Sequence, residues 1–216
     1  MKARTAVFLL MTCCVFSGSF AASLETVEMV PKHRVIVLAD MGNEADEAQQ
    51  IMHMLMYCNM FDVEGLIAVA NARRTIIRPD LFTPIIEGYG AVVDNLSKHA
   101  DGWPSEAYLH GIVAAGINIC GIAGIGEGKS TSGSKLIINA LTKDDPRPVY
   151  VVVNAGANTL AQALWDLDQL KTDAEMEAIT RKIIAYQNGV QDDAGAWILL
   201  RYPHIKWHRS GLQTYA

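Results

Sequence analysis

Apolar and polar positions along this chain follow two patterns: short uninterrupted apolar runs, and longer stretches in which apolar residues recur at helical spacing. Uninterrupted runs are typical of strands buried on both faces of a parallel sheet. They predict strands at residues 34–39, 63–70, 149–153 and 182–186, with a fifth beginning within 205–208. Helical spacing predicts helices at residues 44–57, 81–96, 105–115, 135–141, 159–170, 174–180 and 194–201.

The alternation of strands and helices indicates parallel pairing through right-handed crossovers. The predicted fold class is therefore α/β, a Rossmann-like layered domain with a mostly parallel central sheet. No repeat or linker divides the chain, so we expect one domain over residues 33–216. The sequence ends at residues 213–216 without a closing helix, which predicts a domain truncated at its C-terminus.

Residues 34–47, RVIVLADMGNEADE, bring several carboxylates together at the end of the first predicted strand; they belong to Asp40, Glu44, Asp46 and Glu47. Clustered acids are costly unless a positive group binds there, and ligands of open α/β sheets lie beyond the carboxyl ends of the strands. A divalent metal site is therefore predicted. Calcium suits it best because it is a hard cation that accepts many oxygen ligands. A metal-bound water beside Asp40 would be a nucleophile with its base in place.

Helix capping is the alternative explanation of these acids. Asn43 would cap the helix and the acids would complement its dipole. Capping accounts for Glu44 and Asp46, but it gives no reason for Asp40 at the strand end. Zinc is disfavoured because the chain has no histidine cluster and no C-x-x-C motif.

Two further polar segments follow predicted strands, and parallel strands place them at the same edge of the sheet as Asp40. In residues 154–160, Asn158 would cap a helix, or a backbone carbonyl here would complete an oxygen coordination shell. In residues 191–197, capping by one aspartate is ordinary, whereas a second acid with Trp197 nearby is compatible with sugar recognition.

Residues 123–130, AGIGEGKS, fit a loose form of the phosphate-loop pattern. The full motif needs a strand before it and a helix directly after the Lys-Ser pair, but residues 131–133 intervene. A nucleotide hydrolase that uses Lys129 is therefore a minor hypothesis. A mobile Gly/Ser loop bordering a substrate pocket is the preferred interpretation.

The N-terminus has the pattern of an export signal over residues 1–21. Lys2 and Arg4 form its positive end, residues 6–16 its apolar centre and residues 19–21 a small-x-small cleavage site. These features predict a periplasmic or extracellular protein. No apolar run in the body of the chain reaches the length of a membrane span.

Composition limits the class of partner. Half of the residues are hydrophobic, which is typical of a globular, core-forming chain. Without Lys2 and Arg4, 16 bases face 23 acids, a net charge of −7. A nucleic-acid partner is disfavoured, since phosphate binding needs a basic surface.

Cys13 and Cys14 belong to the export signal, so Cys58 and Cys120 remain after cleavage. An oxidising compartment would permit a bridge between them. Two buried free thiols are the preferred interpretation, because Cys58 lies in an apolar helical pattern.

Several motifs together resemble one family: DMGNEADE, FDVEGLIAV, GEGKSTSGSKLIINAL, DDPRPVYVVVNAGANTLAQAL and QDDAGAW. The sequence is similar to the nucleoside hydrolase-like domain of exported bacterial proteins often labelled sugar- or cellulose-binding. That family is related to the inosine–uridine nucleoside hydrolases. The resemblance covers most of residues 33–216 and implies an α/β fold with a calcium-dependent N-glycosidase site.

The resemblance also implies roles for individual residues. Asp40 matches the aspartate that ligates calcium and acts as base, and Glu47 matches the second calcium-binding carboxylate. Asp46 matches the aspartate that binds sugar hydroxyls, and Asn43 in the same turn is predicted to bind substrate. Asn158 falls near the residue whose backbone carbonyl ligates the metal and is predicted to contact metal and substrate; Gln191 and Asp192 fall near the group that holds the sugar.

The predicted function is a hydrolase of N-glycosyl, nucleoside-like or related glycosidic bonds that uses a calcium-bound water, with a small-molecule nucleoside or sugar as ligand. The alternative is a non-catalytic carbohydrate-binding module on the same fold. Cleavage of substrate that is lost in Asp40→Asn would favour the enzyme, and binding without turnover would favour the module.

Overall fold

The structure is a computed structural model that describes residues 31–211. The predicted export signal at residues 1–21 lies outside the described residues, as does the end of the sequence at residues 212–216. Among the described residues, no helix is both long enough and apolar enough to cross a membrane.

The described residues form a six-stranded sheet in which every neighbouring pair is parallel. Its strands are β1 (His33–Ala39), β2 (Phe61–Ala68), β3 (Val113–Ala115), β4 (Val149–Val153), β5 (Ile183–Asn188) and β6 (Lys206–Ser210). This arrangement confirms the predicted parallel α/β sheet.

The strand order is β3-β2-β1-β4-β5-β6. The chain therefore builds the sheet outward in one direction from β1 and then outward in the opposite direction from β4. The crevice between the carboxyl ends of β1 and β4 is a topological switch point, where ligands of open α/β sheets bind.

Eight helices connect the strands of the described part of the chain. They are α1 (Asp46–Leu55), α2 (Thr83–Gly90), α3 (Val93–Leu96), α4 (Glu106–Gly111), α5 (Ser132–Thr142), α6 (Asn158–Asp168), α7 (Asp173–Thr180) and α8 (Ala194–Arg201). The predicted helix at 81–96 is instead a 3₁₀ turn at Pro79–Phe82 followed by α2 and α3.

The predicted helix at 105–115 is wrong in its second half. Helix α4 ends at Gly111, and Val113–Ala115 forms β3, which pairs with residues 66–68 of β2. A three-residue apolar strand carries too little periodicity to be separated from a helix by pattern alone. Pairing with β2 decides its conformation.

The two faces of the sheet pack against different helices. On β1, Ile36 and Leu38 belong to the core shared with α5, α6 and α8, whereas Val35 and Val37 belong to the core shared with α1, α2 and α4. Successive strand residues point to opposite faces, so burial of both faces requires an uninterrupted apolar run.

The two cysteines of the described part are both free. Cys58 is buried and Cys120 is half-buried. The preference for free thiols over a bridge agrees with the structure, although Cys120 is less buried than expected.

A buried ion pair joins the neighbouring strands β1 and β2. The fully buried Arg34 donates from Nε and Nη2 to the two carboxylate oxygens of Glu64, at 2.9 and 2.8 Å. Nη2 also donates to the Ala140 carbonyl at 2.6 Å, and Lys143 donates to Glu64 at 3.0 Å. Burial acts to raise the pKa of Glu64, but the hydrogen bonds and charges of Arg34 and Lys143 outweigh it and lower that pKa.

We expect Glu64→Met to lower the free energy of unfolding by about 3 kcal/mol, the lower end of the cost of breaking a buried ion pair, because the buried Arg34 then keeps only Asp145, 3.6 Å from its Nε, as a charged partner. Folding lowers the pKa of Glu64. The stability that its carboxylate contributes is therefore present above the unfolded pKa and is lost as the pH falls through the folded pKa. Urea unfolding at neutral and acidic pH measures both effects. The exposed Glu87→Met is the control, and a loss below about 1 kcal/mol would show that the pair is unimportant.

Candidate active site

Polar residues that follow four different strands meet at the carboxyl edge of the sheet. Asp40 comes directly after β1, Asn71 follows β2, Asn154 comes directly after β4, and Gln191 follows β5. Side-chain hydrogen bonds connect Asp40, Asn71 and Gln191, and Gln191 also bonds the main-chain carbonyl of Asn154. The site therefore lies at the switch point between β1 and β4.

The turn after β1 delivers two acids to this edge. Gly42 adopts a φ of 82°, which glycine tolerates without strain, and the Asn43 N–H donates to the Asp40 carbonyl at 3.1 Å. Helix α1 then begins with Asp46 and Glu47.

The capping explanation for Asn43 is wrong. The N-cap residue of α1 is Ala45, and no side chain caps this helix end. The backbone of Asn43 closes the turn, and its side chain is half-buried. Its predicted contact with substrate stays a prediction.

The carboxylates of this edge are buried without matching positive charge. Asp40 is 4% exposed and Glu47 is 6% exposed. Burial, contacts with the carboxyls of Asp46 and Asp40, and the charge of Asp40 raise the pKa of Glu47 to about 9. Burial also raises the pKa of Asp40, with a contribution from the charges of Asp46 and Glu44.

The site offers oxygen atoms, the donor type that hard cations bind. Asp40 Oδ1, Asp46 Oδ1 and Glu47 Oε2 are buried oxygens without a hydrogen-bond partner, and none of these acids forms an ion pair with a basic side chain of residues 31–211. Within the same residues, no three His, Cys, Asp or Glu side chains are already grouped as a metal centre. Calcium therefore stays a prediction that the unpartnered oxygens support.

A chain of side-chain amides surrounds the acids. Asn71 Nδ2 donates to Asp40 Oδ2 and, at 3.2 Å, to Gln191 Oε1. Gln191 Nε2 donates to the Asn154 carbonyl, and Asn154 Nδ2 donates to Gln50 Oε1. Asn71, Gln50 and the cavity residue Asn188 were not predicted from the sequence; the signal for Asn71 was its position just after an apolar strand that neighbours β1.

A cavity of about 210 Å³ opens beside the acids. Five residues with polar side chains line it: Asp46, Glu47, Gln50, Asn154 and Asn188. It is smaller than the pockets of about 300–1,000 Å³ that take drug-sized ligands. Carboxylates and amides suit hydroxyl groups, which both donate and accept hydrogen bonds.

Asp192 and Asn158 are engaged with the protein. Asp192 Oδ2 accepts from the Asn158 N–H at 3.2 Å, and Oδ1 accepts from the Ala194 N–H at 3.1 Å. Burial nevertheless raises the pKa of Asp192. Asn158 does not cap α6, whose N-cap residue is Ala157, and its Nδ2 donates to the Ile119 carbonyl at 2.5 Å. The predicted roles of both residues in binding substrate or metal stay predictions.

The glycine-rich segment does not form a phosphate loop. A 3₁₀ turn at Gly121–Gly124 precedes it where a strand is required, and Lys129 Nζ donates to the carbonyls of Ala123 and Ile125 at 2.7 and 2.9 Å. The buried Gln162 of α6 both accepts from and donates to the backbone of Gly126, at 2.8 and 3.1 Å. These bonds connect the loop to α6, and its predicted mobility beside a substrate pocket stays a prediction.

Trp197 does not serve as an open platform for a sugar ring. Its ring packs edge-on against Tyr202, with centroids 5.9 Å apart, and lies against the core beneath α6 and α8. Packing on the inner side of α8 explains this position.

A parallel sheet with this switch point and acids at its edge defines the class, a nucleoside hydrolase-like α/β domain. The chain belongs to the family described as cellulose-binding Sde182, nucleoside hydrolase-like domain, which it matches over residues 34–216. The resemblance inferred from the sequence motifs is thereby confirmed. No curated protein matches the chain.

The fold is similar to that of a solved structure, described as a nucleoside hydrolase-related hypothetical protein from Saccharophagus degradans that is associated with carbohydrate metabolism. The two share 36% sequence identity with a TM-score of 0.79. The match covers 81% of this chain and 43% of that one, so this chain spans less than half the length of its structural relative.

Proposed function

We propose that this domain hydrolyses N-glycosyl or related glycosidic bonds at the carboxyl edge of its sheet. One observation carries the proposal: three buried carboxylate oxygens without hydrogen-bond partners lie at the switch point, and two of the acids that bear them line the polar cavity. Such an arrangement is costly in a domain that only needs to be stable, because buried charge requires compensation.

Asp40 is the proposed general base. Asn71 donates to its Oδ2, which leaves Oδ1 free to accept a proton from a water molecule. A cation bound beside Asp40 would favour its ionised carboxylate, which is the form that accepts a proton. Its buried position keeps bulk water from competing for the same oxygen.

The residues that line the cavity beside Asp40 would bind and orient a sugar. Asp46, Asn154 and Asn188 offer carboxylate and amide groups to its hydroxyls, and Asn43, Asn158, Gln191 and Asp192 are the further contacts proposed from the sequence. Calcium, when held by Asp40 and Glu47 with a carbonyl contributed near Asn158, would supply positive charge that orients a vicinal diol and acidifies water.

A carbohydrate-binding module without catalysis is the second candidate. The family description names cellulose binding, and the structural relative is associated with carbohydrate metabolism. Carbohydrate handling outside the cell, consistent with the predicted export signal, is part of both candidates. The carboxylates and amides beside the cavity support either candidate, so turnover is the property that separates them.

Calorimetric titration of calcium into the purified protein tests the proposal first. We expect binding that is lost in Asp40→Ala and kept in Asp94→Ala, an exposed acid of α3. Nucleosides and glycosides are then screened for cleavage and for binding. Absence of calcium binding by a folded wild type would contradict the calcium-dependent mechanism, and sugar binding without turnover would favour the module.

A further inference from the structure

Gln191 joins the loops that follow three different strands. Its main-chain carbonyl accepts from the Ala72 N–H at 3.0 Å, in the loop after β2. Its Oε1 accepts from Asn71 Nδ2 at 3.2 Å, and its Nε2 donates to the Asn154 carbonyl after β4. Since β1 and β4 lie between β2 and β5 in the sheet, these bonds cross the ends of the two central strands.

The orientation of the Asn71 amide follows from its neighbours. Asn71 Oδ1 accepts from the N–H groups of Arg73 and Arg74, at 2.8 and 2.7 Å. The amide nitrogen must therefore face Asp40 and Gln191, both of which offer oxygen atoms. Asn71 is 1% exposed, so a rotated amide would leave buried groups without partners.

We propose that Gln191 is a positioning residue that holds the Asn71 amide against one carboxylate oxygen of Asp40 and leaves the other oxygen free for the ligand. This inference rests on the proposed function, in which the free oxygen of Asp40 acts as base and metal ligand. It assigns Gln191 a role different from the sugar contact predicted from the sequence. Its main-chain carbonyl and both side-chain polar atoms are engaged with the protein.

The Gln191→Met variant keeps the length of the side chain and removes both amide contacts. We expect calcium affinity, measured by calorimetry, to fall at least about tenfold, as is typical when a group that orients a metal ligand is removed. We also expect faster amide hydrogen exchange at Arg73 and Arg74, because their acceptor on Asn71 is no longer held. Gln191→Asn, which retains a shorter amide, should recover part of the affinity.

The control is Gln162→Met, which removes the buried amide that fastens Gly126 to α6. It should lower the melting temperature while leaving calcium affinity and exchange at Arg73 and Arg74 unchanged. A loss of affinity in the Gln191 variant therefore reports positioning and not general destabilisation.

The two readouts separate this inference from the proposed function. If the wild type binds calcium and Gln191→Met binds it equally well, Gln191 does not position Asp40 and the inference is overturned. If the wild type binds no calcium, the calcium-dependent function fails, and hydrogen exchange alone then tests whether Gln191 positions Asn71. Unchanged exchange at Arg73 and Arg74 in Gln191→Met would then overturn the inference, and faster exchange would support the conclusion that Gln191 holds the Asn71 amide in place.

Discussion

Asp40→Asn is expected to lower the turnover of a cleaved glycoside or nucleoside by roughly 10²–10⁴-fold, the usual contribution of a general base. The substitution preserves the shape of the side chain and removes its ability to accept a proton. Because Asp40 lies among other acids, the neutral amide should not destabilise the metal-free fold. Steady-state kinetics with calcium present measure the first effect, and thermal unfolding without calcium measures the second.

The exposed Asp94→Asn is the matched control for this change, since it removes the same charge far along the chain in α3. It should retain wild-type turnover. A variant at Asp40 that keeps more than about a tenth of wild-type turnover would rule out Asp40 as the base.

Glu47→Gln is expected to stabilise the calcium-free protein at alkaline pH while abolishing its stabilisation by calcium. Folding raises the pKa of Glu47 from 4.5 to about 9. Between these values the folded state holds a proton that the unfolded state has lost, so the stability contributed by this proton declines as the pH rises towards 9. Each proton bound in this way gives a slope of up to about 1.4 kcal/mol per pH unit.

Urea unfolding of the wild type at several pH values from 5 to 9, without calcium, measures this slope. Glu47→Gln should remove most of it, and the exposed Glu87→Gln should keep it. Calcium at about 100 times its dissociation constant should stabilise the wild type by about 2.7 kcal/mol and leave Glu47→Gln unaffected. Parallel pH profiles for wild type and Glu47→Gln would show that Glu47 does not hold the proton.

Local pattern sufficed for several elements of the fold. The apolar run of β4 was predicted over the same residues that form it, and so was helix α8. The apolar pattern of each fits the conformation that it adopts, so tertiary contacts did not need to override it. Strand β3 was missed because three apolar residues take their conformation from pairing with β2.

The same contrast applies to the candidate site. Asp40, Asp46 and Glu47 are close in sequence, so one strand-turn-helix unit was enough to predict that their carboxylates meet. Asn71 and Gln191 are separated by 120 positions, and nothing local indicates that one amide faces the other.

What the sequence by itself determined is the parallel α/β sheet, the edge of the sheet where its acids lie, and the single turn that places them there. The tertiary structure alone decided which amides hold those acids, that Asp192 engages the start of α6, and that Lys129 is bound to its own loop. Periodicity and capping act over a few residues, whereas hydrogen bonds between loops depend on the order in which the strands assemble.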